Sequence, residues 1–322
     1  MTYAADRYAL GVDFGGTTIK MGLVSREGEL LERRKIDTHK ASTPEAWLDA
    51  VDRGVDGLAG VAGLGRADLA GLGVGVPGFI DYERGFLFTL PNVPGWDNVD
   101  FVRMAEQRLG MRVRADNDVN VMALGECMFG NGRLYRNAVF MTLGTGVGGA
   151  LLLDGKLYRG AYSLAGEVGH MSIDFRGVDS PYGWGHLEQY IGNRRLVERA
   201  VAGLESGAAT SLKERAGEDG TELTVKIIAE EAARGDALSC EIFDFAAECL
   251  ATSLASLTYL LQPQAFIVGG GVSRSGEALF GPLRSHLEQR LSPIFLEHVE
   301  IKRAKLGNQA GMIGGACLAL TA

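Results

Sequence analysis

Two short turns made of glycine and threonine are the parts of this chain best suited to holding a ligand against the backbone. Each follows an apolar segment directly; the first segment ends at Phe14 and the second at Leu143. Small residues let backbone N–H groups approach a ligand closely, although a tight turn without a ligand has the same composition. The turn residues are Gly15, Gly16, Thr17 and Thr18 in the first turn and Gly144, Thr145 and Gly146 in the second.

Polar side chains that could act on a bound molecule stand in two places. Glu167 and His170 lie in a glycine-rich loop that offers almost no apolar surface to pack them against. Asn117 and Asp118 end a short strand and precede a helix, and open α/β sheets place their chemistry at that end of a strand. The same two residues could instead cap the helix.

The elements that position these residues occur twice. Residues 10–30 and 141–170 each read as strand, glycine–threonine turn, strand and hairpin, and Asp154-Gly155 is a strong hairpin signal. A third apolar segment, residues 265–268, ends at Gly269, Gly270 and Gly271. The duplication predicts an α/β protein with two related halves.

Helical periodicity predicts the remaining elements. The first helix should begin at Ser42, whose spacing from Glu45 fits a capping box. The predicted helices span about residues 42–58, 101–109, 121–128, 193–202, 224–234, 238–261, 277–291 and 310–320.

The composition excludes several classes of protein. The 322 residues carry a net charge of −8 and no basic run longer than residues 33–35, so no nucleic acid partner is expected. The amino terminus lacks a signal peptide pattern, and the most apolar helical stretch, residues 246–261, is too short to span a membrane. We therefore expect a cytoplasmic protein with no membrane partner. The 4 cysteines have no paired spacing and are expected to be buried thiols.

Two matches to the dinucleotide-binding pattern GxGxxG do not indicate NAD binding. That pattern must open a helix, whereas Pro77 interrupts the match at residues 73–78 and a hairpin follows the match at residues 144–149. The phosphate-binding pattern GxxxxGK[ST] does not occur. Neither motif therefore accounts for the glycine-rich turns.

Seven short motifs, taken in order, resemble the ROK family of sugar kinases and repressors. They are DFGGTTIK, GVGVPG, PNVPGW, NDVN, LGTGVGG, AGEVGH and IVGGG, and they span nearly the whole chain. The resemblance implies the duplicated actin/hexokinase-like (ribonuclease H-like) α/β fold, with nucleotide and sugar in a cleft between two domains. The predicted domains are residues 1–117, joined by a C-terminal helix at about residues 310–322, and residues 118–309.

The resemblance also implies a role for each motif in transferring phosphate from ATP. The two turns would hold the phosphates, Asp13 would hold Mg²⁺ through water, and Gly269, Gly270 and Gly271 would pass under the adenosine. Asp118 would be the catalytic base that accepts the proton of a sugar hydroxyl. The residues expected to bind the sugar are Gly78, Asn92, Asn117, Glu167, His170 and Glu188.

The chain departs from the family at a zinc site. The resemblance implies three cysteines after the Gly-His pair that join the histidine around a structural zinc, but residues 171–188 contain no cysteine. In register, Asp179, Pro181 and His186 stand where the thiolates would be, and proline has no ligand atom. No structural zinc is therefore expected.

Other contacts must then orient His170. The sequence suggests packing by Tyr182 and Trp184, together with a hydrogen bond from Asp179 or Asp174.

The expected activity is ATP-dependent phosphorylation of glucose at its 6-hydroxyl, with N-acetylhexosamine, mannose or fructose as alternatives because the same residues grip several hexoses. A repressor is not expected, since the chain begins about ten residues before its first phosphate turn and leaves no room for a helix-turn-helix. A sugar sensor without catalysis would have no reason to keep Asp13, Asp118 and both turns. The expected partners are a small sugar and a second copy of the chain in a homodimer.

Overall fold

The computed structural model describes residues 7–91, 93–180, 182–217 and 220–321, and the chain divides into two compact units. The first unit takes in the chain up to Leu134, the segment Leu157–Ala165 and the chain from Lys305. The second unit takes in Tyr135–Lys156 and Gly166–Ala304.

The described residues form fourteen strands and ten α-helices. The strands are β1 (Tyr8–Phe14), β2 (Thr18–Ser25), β3 (Leu30–Asp37), β4 (Leu69–Val76), β5 (Phe79–Asp81), β6 (Phe86–Thr89), β7 (Val113–Asn117), β8 (Ala138–Leu143), β9 (Val147–Leu153), β10 (Lys156–Tyr158), β11 (Asp179–Ser180), β12 (Gly183–Trp184), β13 (Ala265–Gly269) and β14 (Glu300–Arg303). The helices are α1 (Pro44–Val61), α2 (Phe101–Leu109), α3 (Asp118–Phe129), α4 (Glu188–Ile191), α5 (Asn193–Glu205), α6 (Val225–Ala233), α7 (Ala237–Leu261), α8 (Glu277–Glu288), α9 (Pro293–Leu296) and α10 (Ala310–Leu320).

A five-stranded sheet of order β3-β2-β1-β4-β7 is the centre of the first unit. Strands β1, β2 and β3 are antiparallel neighbours, whereas β4 is parallel to β1 and β7 is parallel to β4. The sheet packs on a buried aromatic cluster of Phe14, Trp47, Trp96 and Phe101. The carboxyl ends of β1, β4 and β7 therefore point the same way, which places Asp13 and Asp118 at one edge of the sheet.

A sheet of order β10-β9-β8-β13-β14 repeats this arrangement, and its strands β9, β8, β13 and β14 lie wholly in the second unit. Strands β8 and β9 are antiparallel, and β13 runs parallel to both β8 and β14. Helices α7 and α8 supply much of the buried core on which this sheet packs. The two sheets confirm the predicted duplicated α/β fold.

Helix α10 packs against β1, β4 and α3 with almost no space between backbones. A Cβ atom at Gly11 would lie 1.6 Å from the Met312 carbonyl oxygen, and one at Gly73 would lie 1.9 Å from the Gly315 carbonyl oxygen. Only glycine fits these contacts. Because α3 contacts α10 in this way, it belongs to the first unit, which continues to Leu134 and does not end at residue 117.

Most predicted helices occur within a few residues of their expected bounds, but the start of α1 differs. Thr43, not Ser42, caps this helix, because its hydroxyl oxygen accepts the Ala46 N–H at 3.2 Å and Pro44 occupies the first helical turn. The hairpin predicted at Asp154 is confirmed, with positive φ there and at the following glycine.

Two further observations concern the surface. Cys249 and Cys317 are buried as expected, but Cys127 is only half-buried and Cys240 is exposed. Within the described ranges, no helix is both long and apolar enough to cross a membrane.

Candidate active site

The first glycine–threonine turn joins β1 to β2. The Gly15 N–H donates to the Thr18 carbonyl at 3.2 Å, and a Cβ atom at Gly15 would lie 2.8 Å from the same oxygen. Thr38 holds the turn from the side: its hydroxyl donates to the Gly15 carbonyl at 2.8 Å and its N–H to the Thr17 carbonyl at 3.1 Å. Gly16 and Thr17 are left at the tip, where Thr17 is exposed.

Asp13 is paired with a lysine that the sequence analysis missed. Asp13 and Lys20 are register partners across β1 and β2, and Lys20 Nζ lies 2.6 Å from Asp13 Oδ2. The second carboxylate oxygen of Asp13 has no partner among the described residues, so the side chain fits a Mg²⁺ ion held through water. The signal was available in the sequence, because two residues that flank a tight turn symmetrically become opposite each other in a hairpin.

Asn117 and Asp118 lie where β7 ends and α3 begins. The Asn117 side-chain oxygen accepts the N–H groups of Val119 at 2.9 Å and Asn120 at 3.4 Å, while its amide nitrogen donates to the Gly78 carbonyl at 3.4 Å. Asn117 therefore is the helix cap that the alternative reading predicted. Asp118 is half-buried, and its Oδ1 accepts the Val119 N–H at 3.0 Å. The positive end of the α3 dipole favours a negative charge at this position.

Gly78, another predicted sugar-binding residue, lies in a loop of the first unit. Gly78 follows β4, and a Cβ atom there would lie 2.3 Å from the Thr89 carbonyl oxygen. Asn92 lies outside the residues that the structure describes.

The second turn joins β8 to β9 in the second unit. The Gly144 N–H donates to the Gly146 carbonyl at 2.9 Å, and the Asn193 N–H donates to the Gly144 carbonyl at 2.8 Å. A Cβ atom at Gly192 would lie 2.6 Å from the Thr145 carbonyl oxygen, so the start of α5 packs directly on the turn.

The three glycines 269–271 lie beside this turn. Gly269 ends β13, which is the parallel neighbour of β8. Gly270 has a φ of +86°, and a Cβ atom there would lie 2.3 Å from the Leu143 carbonyl oxygen. A Cβ atom at Gly271 would lie 3.6 Å from the side-chain amide of Asn193. The structure therefore brings the two predicted nucleotide-binding segments together and adds Asn193, which no sequence pattern identified.

Glu167, His170 and Glu188 also meet in the second unit. Glu167 precedes a 3₁₀ turn that ends at His170, and His170 Nε2 lies 4.0 Å from Glu167 Oε2. Glu188 begins α4 and accepts the Val147 N–H at 2.9 Å. Burial raises the pKa of Glu167; the charge of His170 lowers it, and the charge of Glu188 raises it further. The three side chains thus form one polar cluster that offers both donors and acceptors.

The residues in the position of the zinc ligands do not fit zinc. His186 Nδ1 is 2.9 Å from the Ser180 hydroxyl, and Asp179 is exposed. Pro181 lies outside the described residues. In the part of the chain that the structure covers, no group of three or more His, Cys, Asp or Glu side chains is placed to hold a metal ion.

The contact that supports His170 differs from the predicted one. Tyr182 and Trp184 are 89% and 59% exposed, so the prediction that they pack against His170 is wrong. The Asp174 side chain accepts the Arg176 N–H, so it stabilises the turn in which it lies. Instead, the His186 ring meets the His170 ring edge-on, with centroids 5.5 Å apart and an interplanar angle of 84°.

Comparisons with known proteins agree with this architecture. The model of the ROK family matches residues 9–322. The chain is 34% identical over 321 residues to a glucokinase of Halalkalibacterium halodurans, covering 98% of this chain and 95% of that protein. It is 31% identical to an N-acetyl-D-glucosamine kinase of Mannheimia succiniciproducens, covering 97% and 99%. A ROK family glucokinase from Streptomyces griseus, solved in complex with glucose and AMPPNP, matches with a TM-score of 0.83 and 33% identity, covering 98% and 100%.

The duplicated sheets, each with a glycine–threonine turn after its first strand, define the actin/hexokinase-like class of α/β proteins. Within that class, the chain belongs to the ROK family, and it is a sugar kinase.

Proposed function

We propose that this protein transfers the γ-phosphoryl group of ATP to the 6-hydroxyl of glucose. The observation that carries the proposal is Asp118, a half-buried carboxylate at the start of α3 beside the Asn117 cap. The similarity to a Streptomyces griseus glucokinase solved with glucose and AMPPNP supports the choice of both substrates.

Asp118 acts as the general base. A sugar hydroxyl is a weak nucleophile, and a carboxylate within hydrogen-bond reach accepts its proton as the new bond to phosphorus forms. The oxygen of the 6-hydroxyl attacks the γ-phosphorus, the bond from that phosphorus to the bridging oxygen breaks, and ADP leaves. The proton ends on the carboxylate. Asn117 and Gly78, joined by their hydrogen bond, hold the sugar beside this base.

The second unit supplies the remaining polar groups for the sugar. Glu167, His170 and Glu188 together present carboxylate acceptors and an imidazole, which matches a ring whose hydroxyls both donate and accept. Glu167 and His170 are only half covered, with side-chain exposures of 38% and 48%, so both are open to a ligand.

The phosphates of ATP are held by backbone N–H groups and threonine hydroxyls of the two turns. Lys20, beside Asp13, adds a positive charge for the same purpose. Asp13 is the residue that would hold Mg²⁺, which would supply positive charge to neutralise the phosphates. Gly270 and Gly271, with the Asn193 amide next to them, form the surface under the adenosine.

One assay tests the proposal. Release of ADP, coupled to a second enzyme, is measured with glucose, N-acetylglucosamine, N-acetylmannosamine, mannose and fructose at equal concentrations, with Mg²⁺ and ATP. We expect the highest kcat/KM for glucose and a product phosphorylated at position 6. No ADP release with glucose, or a product phosphorylated elsewhere, contradicts the proposal.

A second candidate is an N-acetylglucosamine kinase. The 31% identical relative from Mannheimia succiniciproducens favours it, because that protein carries this name and matches over nearly its whole length. A higher kcat/KM for N-acetylglucosamine than for glucose in the same panel would support this second candidate. One acetyl group changes preference through a few pocket contacts, so both substrates are measured side by side.

A further inference from the structure

A buried ion pair lies directly beside the proposed catalytic base. Asp116 is 2% exposed and comes two residues before Asp118. Its Oδ2 accepts a hydrogen bond from Arg159 Nε at 2.8 Å and forms an ion-pair contact of 2.7 Å with a terminal nitrogen of the same guanidinium. Its Oδ1 accepts the Asn117 N–H at 2.8 Å and the Asn120 side-chain amide at 3.0 Å. One oxygen of this carboxylate therefore binds the corner between β7 and α3, and the other binds Arg159.

Arg159 is itself held in place on several sides. It comes from the segment Leu157–Ala165 of the first unit, and its guanidinium lies 3.7 Å from the centre of the Tyr82 ring. The Tyr82 N–H in turn donates to the Ser163 hydroxyl of the same segment at 3.2 Å. A guanidinium that stacks on a ring while its Nε donates to a carboxylate is restricted in orientation. The segment thus presents a rigid partner to Asp116.

Stability does not explain the network that Asp116 forms with Arg159, Asn117 and Asn120. Burial raises the pKa of Asp116 despite its bonds to Arg159, Asn120 and the Asn117 N–H, so the charged form is costly at this position. The side-chain oxygen of Asn120 is also buried without a hydrogen-bond partner in the described part of the chain. A buried pair of this kind is often no more stabilising than apolar residues of the same volume. We therefore look for the role of the ion pair in the way it orients the residues beside it.

We propose that Asp116 and Arg159 are positioning residues for Asn117 and Asp118. The proposal rests on the proposed function, in which Asp118 is the base. Asp116 fixes the peptide group of Asn117 from one side, and Asn120 fixes the first turn of α3 from the other. The backbone of Asp118, between them, is therefore fixed on both sides. Arg159 holds Asp116 in the orientation that makes this possible.

The test compares Arg159→Met, Asp116→Asn and the double variant in the coupled assay with ATP and the preferred hexose. Each single variant should lower kcat about 10- to 100-fold, because small displacements of a reacting group have effects of that size, while KM for ATP stays within about twofold. Arg159→Met should also lower the melting temperature, because it leaves a buried carboxylate unpaired. In the double variant the melting temperature should recover and kcat should not.

The double variant separates geometry from stability. A kcat that returns to the wild-type value together with the melting temperature would overturn the proposal, because the pair would then be only a structural ion pair. So would a single variant whose kcat is unchanged. Arg159→Lys keeps the charge without the planar guanidinium, and we expect a kcat between those of wild type and Arg159→Met. An Arg159→Lys kcat no higher than that of Arg159→Met would count against a role of the charged pair.

A matched control is available in the same unit. Arg66 binds Asp52, Asp56 and the Leu109 carbonyl before the amino ends of the parallel strands β4 and β7, whereas Asp118 follows the carboxyl end of β7. Arg66→Met should lower the melting temperature and leave kcat unchanged. The wild-type protein and Asp118→Asn are measured first: an inactive wild type, or a fully active Asp118→Asn, refutes the proposed function and not the positioning role.

Discussion

The carboxylate of Glu188 lies directly against Gly146. A Cβ atom at Gly146 would be 2.0 Å from Glu188 Oε2, the same oxygen that accepts the Val147 N–H at 2.9 Å. A side chain proposed to bind the sugar therefore also supports the turn proposed to bind phosphate. Any side chain added at Gly146 must therefore displace Glu188.

The first prediction follows from this contact. Gly146→Ala should reduce kcat/KM for both ATP and sugar, by about 10- to 100-fold, because the new methyl group pushes Glu188 out of place. Steady-state kinetics with each substrate varied in turn measures this. Gly60→Ala on α1 is the control. A Cβ atom at Gly60 would have no neighbouring atom within 4 Å, so activity should not change. An effect on only one substrate would show that the contact does not couple the two groups.

The second prediction concerns the base. Asp118→Asn should lower kcat by at least about 100-fold, which is the usual contribution of general base catalysis, while glucose affinity stays nearly the same. Steady-state kinetics gives kcat, and calorimetric titration with glucose gives the affinity. If turnover were retained, another residue would have to accept the proton.

The third prediction concerns His170. Because its ring is half-exposed beside Glu167, His170→Ala should raise KM for the sugar about tenfold or more and leave KM for ATP unchanged. His298→Ala, an exposed histidine of the same unit, is the control. A change confined to KM for ATP would contradict a role in sugar binding.

The fourth prediction concerns metal. Since His186 Nδ1 is bonded to Ser180 and no cysteine is present in residues 171–188, washing with a chelator and restoring Mg²⁺ should leave activity intact. Elemental analysis of the washed protein should give far less than one zinc per chain. Ser180→Ala should raise KM for the sugar, because the His186 ring that supports His170 loses its hydrogen bond. Stoichiometric zinc whose removal abolishes activity would contradict this account.

The fifth prediction is a pH effect on stability. Burial would raise the pKa of Asp236, but hydrogen bonds from Ser239, Ser211 and Thr210 lower it to about 2 from an ordinary value of 3.8. A carboxyl whose pKa falls on folding stabilises the protein above its unfolded pKa, and this contribution is lost as the pH falls from about 4 towards 2.

Asp236→Ala removes this effect together with the cap of α7. At neutral pH it should destabilise the protein by about 1 kcal/mol, and the difference from wild type should shrink below pH 4. Urea unfolding at several pH values measures it. Glu241→Ala, an exposed residue on the same helix, should have little effect, and an equal loss at pH 7 and pH 3 for Asp236→Ala would contradict the titration.

The sequence predicted those parts of the site whose signal is local. A glycine–threonine turn after an apolar strand, or a polar pair such as Asn117-Asp118 after another, is visible within a few residues. Arg159 and Asp116 are 43 positions apart, so no local sequence pattern at either residue predicts their contact. The edge-on contact of His186 with His170 was missed for a related reason, because ring orientation depends on how a loop folds back on itself. The cap of α1 moved from Ser42 to Thr43 because both residues are good caps and only the backbone decides between them.

Helix α10, which packs backbone to backbone on β1 and β4, sets the order of events when a ribosome makes this protein. The first unit begins with β1 but includes residues from Lys305 onward, so its earliest strands leave the exit tunnel long before the helix that must cover them. Domains usually fold as they emerge, amino-terminal first. Here the sheet of the first unit stays uncovered until the residues of the second unit have been made and α10 follows them.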